Sequence, residues 1–142
     1  MTSILLVEDN PDDEALALRA FARTNIPGDI AVARDGAEAL DYLFSRSGVA
    51  DGGSALPDVV LLDLKLPKID GLEVLRRIRA DERTSLLPVV ILTSSSERQD
   101  RLTGYRLHCN SYVRKPVDFD EFMDTARQLS LYWLTLNRTA SC

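Results

Sequence analysis

An α/β domain built on a doubly wound parallel sheet is predicted from three observations. Short apolar runs stop at chemically distinctive residues: SILLV at Glu8 and Asp9, VVLLDL with Asp63 near its end, VVIL at Thr93, and SYVR at Lys115-Pro116. Runs of this length, β-branched or aliphatic and bounded by turn residues, suit strands covered on both faces. Helical patterns separate them, so the strands are expected to lie parallel in one sheet, joined by right-handed crossovers.

The elements follow in order. Strands are expected at 3–8, 29–33, 58–63, 88–93 and 111–114, and helices at 11–24, 36–45, 71–80, 97–106 and 118–136. The first helix opens with Asn10 as a cap and Pro11 in its first turn, and Asp12, Asp13 and Glu14 favour its positive end. Asp35-Gly36 and Asp70-Gly71 mark turns into the second and third helices, with Asp70 read as a cap. Residues 45–57, with three glycines, form the one long loop. The fourth helix is polar, with Leu102 as its main apolar anchor, which makes it a candidate for a mobile output surface. In the last helix Phe119, Phe122, Met123, Ala126, Leu129 and Trp133 form one core-facing stripe. Leu131, Tyr132 and Leu136 fall off it, and exposed apolar residues grouped on one helix mark a protein contact. A homodimer burying Trp133 or Tyr132 is the expectation.

Composition agrees with one domain over residues 1–142, its core at about 3–135 and a short C-terminal tail. The chain has 142 residues, 45% hydrophobic and 27% charged, as globular domains do. A net charge of −5 argues against nonspecific nucleic-acid or membrane surfaces. No apolar stretch approaches a membrane span of about 20 residues, and the N-terminus is expected to enter a strand at once rather than a signal peptide. Cys109 and Cys142 do not make a disulfide framework, so a cytoplasmic location is expected. Cys109 reads as a small apolar residue, and His108 as a surface residue on a helix-to-strand turn.

Parallel strands bring their C-terminal ends to one rim, where ligands of open α/β sheets bind. Glu8, Asp9 and Asp63 then face one another, a costly arrangement unless a cation neutralises them. Hard divalent ions such as Mg2+ are held by one or two carboxylates while leaving room for phosphate oxygens. Lys115 adds a positive charge and Thr93 a hydroxyl. These are the needs of phosphoryl transfer, in which positioning and charge neutralisation supply most of the catalysis. An aspartate can itself be the nucleophile, giving an acyl phosphate.

The strings LLVEDNPDD, VLLDLKLPKIDG, VVILTSS and YVRKP resemble the receiver domain of two-component response regulators. That resemblance implies a flavodoxin-like five-stranded sheet in the order 2-1-3-4-5 with five helices. It implies Asp63 as phosphoacceptor, with Asp9, Asp63 and the Lys65 carbonyl as Mg2+ ligands and Glu8 acting mainly through water. It also implies Thr93 and Lys115 as binders of the phosphoryl group, Tyr112 as a switch aromatic, and a cis Lys115–Pro116 peptide. A closer resemblance, in VEDNPDD, DLKLPK and the YWL extension, is to stand-alone regulators of phytochrome-type histidine kinases. That group points to phosphorylation by a sensor histidine kinase and to pairing through the fourth helix, fifth strand and fifth helix.

Two rivals are weaker. An aspartate-nucleophile phosphatase needs a second carboxylate two residues after the nucleophile, where this chain has Lys65. A pseudo-receiver that never takes phosphate would not need the full set of acids, Thr93 and Lys115. The resemblance implies a signalling domain that catalyses only its own phosphorylation and dephosphorylation.

Overall fold

The computed structural model describes residues 2–46 and 56–140. Most of the predicted 45–57 loop, and Cys142, lie outside them. Strands β1 (Thr2–Val7), β2 (Asp29–Ala33), β3 (Val59–Leu62), β4 (Val89–Thr93) and β5 (Ser111–Arg114) form one parallel sheet in the order β2-β1-β3-β4-β5. Helices α1 (Pro11–Ala22), α2 (Gly36–Arg46), α3 (Gly71–Ala80), α4 (Arg98–Arg106) and α5 (Phe119–Leu131) connect and cover it.

Side chains alternate across a strand, so each strand feeds two apolar layers. On one face Leu5, Val7, Val60, Leu62, Val89 and Ile91 pack with Leu40 and Leu43 of α2 and with Val74, Leu75 and Ile78 of α3. On the other, Ile4, Leu6, Val59, Leu61, Val90 and Leu92 pack with Ala17 and Phe21 of α1 and with Phe122 and Ala126 of α5. Each fully buried Leu or Ile contributes about 1.5–3 kcal/mol relative to an exposed one. Burial on both faces holds for β3 and β4 throughout, whereas the edge strands β2 and β5 are only partly covered.

Helix starts follow the predicted chemistry. The Asn10 side chain accepts from the Asp12 and Asp13 N–H groups, and the Asp70 side chain accepts from Glu73 N–H. The Asp35 carboxylate does the same for Glu38 N–H at 2.7 Å.

Three expectations are corrected. Leu102 is not the anchor of α4 and joins neither core layer. The one buried residue of α4 is Gly104, where an added Cβ would lie 2.8 Å from Ile91 Cδ1, so the helix backbone itself rests on β4. The last helix is not α-helical to 136: it turns π-helical over Tyr132–Leu136, and Asn137 N–H donates to the Tyr132 carbonyl at 2.6 Å. The wider turn keeps Trp133 and Leu134 on the α1–α5 layer while Leu131, Tyr132 and Leu136 face solvent. Lys115–Pro116 is trans, as are all peptides among the described residues. Trans is the lower isomer of an X–Pro bond by about 0.5–1 kcal/mol.

Candidate functional site

Register builds the site. Val7 pairs with Leu62, so the next residues, Glu8 and Asp63, stand side by side at the rim. Lys115 N–H donates to the Thr93 carbonyl at 2.7 Å and carries the β4–β5 pairing one residue beyond the strand. Gly71 lets α3 start against the Asp63 backbone: a Cβ there would lie 2.2 Å from the Asp63 carbonyl oxygen. Glu8, Asp9 and Asp63 each offer a carboxylate oxygen, all within 4.8 Å of one another. Glu8 and Asp63 are buried and Asp9 is exposed. Three hard oxygen donors with one open side fit a divalent cation.

Lys115 reaches across this cluster. Its ammonium donates to Glu8 Oε1, to Asp13 Oδ2 at 3.1 Å and to Asp63 Oδ2 at 3.2 Å. The other Asp63 oxygen accepts from Leu64 N–H at 2.7 Å. Burial pushes the Glu8 carboxyl up to about 7, against the pull of the Lys115 hydrogen bond. Burial works to lower Lys115, but the Glu8 hydrogen bond and the Asp63 charge outweigh it and hold the ammonium above its ordinary range. The two shifts have different causes, burial for Glu8 and the facing carboxylates for Lys115.

Thr93 and Tyr112 meet through Ser95, to which the sequence reading gave no switch role. The Thr93 hydroxyl, fully buried, accepts from Ser95 N–H at 3.3 Å. The Tyr112 hydroxyl donates to the Ser95 carbonyl at 3.2 Å, and the Ser95 hydroxyl donates to Asp100 in the first turn of α4 at 2.6 Å. Ser95 therefore joins the rim hydroxyl, the aromatic and the helix. Burial raises the Tyr112 phenol above its ordinary value.

Asp13 is a second departure. Its sequence reading was helix-end decoration, yet it reaches Lys115. Its contact with Lys115, 102 residues away, is set by the sheet and leaves no local signal in the sequence. A third missed residue lies at the far edge of the sheet. Arg79 donates to the Ser85, Leu87 and His108 carbonyls and to Asn110 Oδ1, tying α3 to the β4 entrance and the α4–β5 turn. An arginine on an amphipathic helix gives no sequence signal for such a role. His108 itself is exposed, with φ 67°.

Residues 4–127 match the response regulator receiver domain family. The chain belongs to that family. This receiver domain is 47% identical over 136 residues to a probable methanogenesis regulatory protein, FilR2, of Methanothrix harundinacea (strain 6Ac), spanning 96% of this chain and 86% of that one. Among solved structures, the phosphorylated cyanobacterial phytochrome response regulator RcpA is similar with a TM-score of 0.86 at 35% identity, over 98% of both chains. The Mn2+-bound form of response regulator Rcp1 is similar with a TM-score of 0.84 at 32% identity, over 98% of this chain and 99% of that one. The receiver domain is thus a two-component signalling domain rather than a metabolic enzyme, and its acidic cluster suits a divalent metal. Among the described residues, no helix is long and apolar enough to cross a membrane.

Proposed function

We propose that this receiver domain is a single-domain regulator, residues 1–142, that accepts a phosphoryl group on Asp63 from a sensor histidine kinase in the cytoplasm. The observation that carries it is the Asp63 carboxylate, held by Leu64 N–H and Lys115 within reach of Glu8 and Asp9. An Asp63 oxygen bonds to phosphorus as the donor's phosphorus–nitrogen bond breaks. That bond's electron pair stays on the donor imidazole. Lys115 and the Thr93 hydroxyl supply donors for the phosphoryl oxygens, worth most in a partly dry site. Glu8, Asp9, Asp63 and the Lys65 carbonyl would hold Mg2+, which when bound neutralises charge on the transferred group. Catalysis is confined to the domain's own phosphorylation and dephosphorylation.

Output is proposed to run from Thr93 through Ser95 and Tyr112 to α4, as a shift between two populations. Likeness to RcpA supports a phytochrome-type kinase as the donor. The exposed Leu131, Tyr132 and Leu136 support a homodimer, and the net charge of −5 supports a partner other than nucleic acid. The test is intact-mass measurement with acetyl phosphate and Mg2+. One phosphoryl adduct is expected on the wild type, none on Asp63→Asn, and a strongly reduced yield on Asp9→Asn. Unchanged labelling of Asp63→Asn would remove Asp63 from the role. A transfer survey across candidate kinases then identifies the donor.

A further inference from the structure

We propose that Asp13 is a positioning residue that restrains Lys115, so that its release limits how readily Asp63 takes up a phosphoryl group. This rests on the phosphoacceptor role proposed above for Asp63. An ammonium has three N–H donors and no more. In Lys115 all three are engaged, by Glu8, Asp13 and Asp63, and its side chain is only 9% exposed. To donate to a phosphoryl oxygen on Asp63, Lys115 must let go of one carboxylate.

The three partners are not equally easy to release. The Glu8 side chain is 3% exposed, and its second oxygen accepts from Asn10 N–H at 3.2 Å. Losing the lysine there would leave a buried carboxylate without its countercharge, a costly outcome. Asp63 carries the incoming group. The Asp13 side chain is 40% exposed, so water can replace the lysine. Asp13 also lies in the first turn of α1, where the helix N-terminus favours its charge without a cation.

The local sequence explains why Asp13 is free to take this position. It is the third residue of α1, where an acidic side chain often reaches back to the N–H of the capping residue. Here that N–H, of Asn10, is already held by Glu8. The Asp13 carboxylate turns to Lys115 instead. It thereby occupies an ammonium donor that a phosphoryl oxygen would need, and it adds negative charge facing an anionic phosphodonor.

The experiment compares initial rates of Asp63 phosphorylation by acetyl phosphate with saturating Mg2+, read by intact mass, in the wild type, Asp13→Asn, Asp13→Glu and Asp12→Asn. Asp13→Asn is expected to label roughly 1.5- to fivefold faster, the range of a partly exposed ion pair. Asp13→Glu should return towards the wild-type rate, and Asp12→Asn, an exposed neighbour away from Lys115, should stay there. Beryllofluoride affinity should rise in Asp13→Asn alone; a helix-end role would lower thermal stability without moving rate or affinity. A wild type that labels at Asp63 while Asp13→Asn gains nothing overturns this inference alone. Equal acceleration in Asp12→Asn also overturns it, by making the effect one of net charge. No label on Asp63 in the wild type overturns the phosphoacceptor role and this inference with it.

Discussion

The Tyr112 hydroxyl donates to the Ser95 carbonyl at 3.2 Å, bridging β5 and the loop that leads from β4 into α4. Since Ser95 N–H is also held by the Thr93 hydroxyl, moving that hydroxyl towards a phosphoryl group would free one end of the residue whose other end Tyr112 holds. Tyr112→Phe should cost about 0.5–1.5 kcal/mol in urea unfolding, the value of one hydrogen bond. Thr93→Ala is expected to accept phosphate yet transmit it poorly. NMR shifts over residues 94–115 on beryllofluoride binding check this, and wild-type shifts in Thr93→Ala would break the proposed coupling.

Two glycines should respond oppositely to the same substitution. At Gly71 an added Cβ meets the Asp63 carbonyl oxygen at 2.2 Å and Leu64 Cα at 2.6 Å, both backbone. At Gly104 it meets the far end of the Ile91 side chain, which can turn aside. Gly71→Ala should destabilise by more than about 2 kcal/mol, as overpacking against fixed atoms does. Gly104→Ala should fall within about 1 kcal/mol of wild type, because alanine's helix propensity offsets the crowding. Equal losses in thermal melts would refute the distinction.

Cys109 gives a pH prediction. It is buried, and burial raises its thiol above the ordinary value of 9.0. A raised thiol pKa favours the neutral form in the folded state, so this group is silent below pH 9.0 and weakens the fold as pH rises past it. The thiolate is the reacting form. In a Cys142→Ser background, iodoacetamide at pH 8 should modify the native protein at least about tenfold more slowly than the urea-unfolded chain. Similar rates would show that the thiol is accessible and ionised in the fold.

The proposed homodimer can be tested on the outward side chains of the C-terminal turn. Trp133 packs on its own domain, with the Tyr132 ring edge-on at 4.9 Å, so Leu131, Tyr132 and Leu136 are the side chains of this segment left for a second copy. Light scattering should give a dimer at micromolar concentration, and a monomer for Tyr132→Asp combined with Leu136→Asp. A wild-type monomer at high concentration, with and without beryllofluoride, would exclude it.

Strand ends were legible because their chemistry is local: an aliphatic run that stops at Asp63 or Thr93 marks both the element and the rim. The caps at Asn10 and Asp70 were legible for the same reason. Less so was anything set by the distance between elements. Gly104 anchors α4 by its lack of a side chain, which no apolar pattern reveals, whereas Leu102 fitted the pattern and packs in neither layer. Asp13 looked like an ordinary helix-end acid until the sheet brought Lys115 within 3.1 Å. The π-turn at Tyr132–Leu136 shares its residue types with an α-helix, so periodicity ran through it.

The Arg79 contacts have a mechanical consequence for α4. The guanidinium secures the turn just beyond the helix, through His108 and Asn110, while Glu97 at its start has no side-chain cap. A rod pinned at its far end, and tethered at its start through the Ser95 hydroxyl to Asp100, swings when Ser95 moves. Displacement starting at Ser95 would then be largest around Arg98–Arg101 and fade towards Arg106, and amide exchange should be fastest at that leading end. A partner that reads the phosphorylated state would gain most by touching the first turn, next to the rim where the event occurs. The last turn would look the same to it in either state.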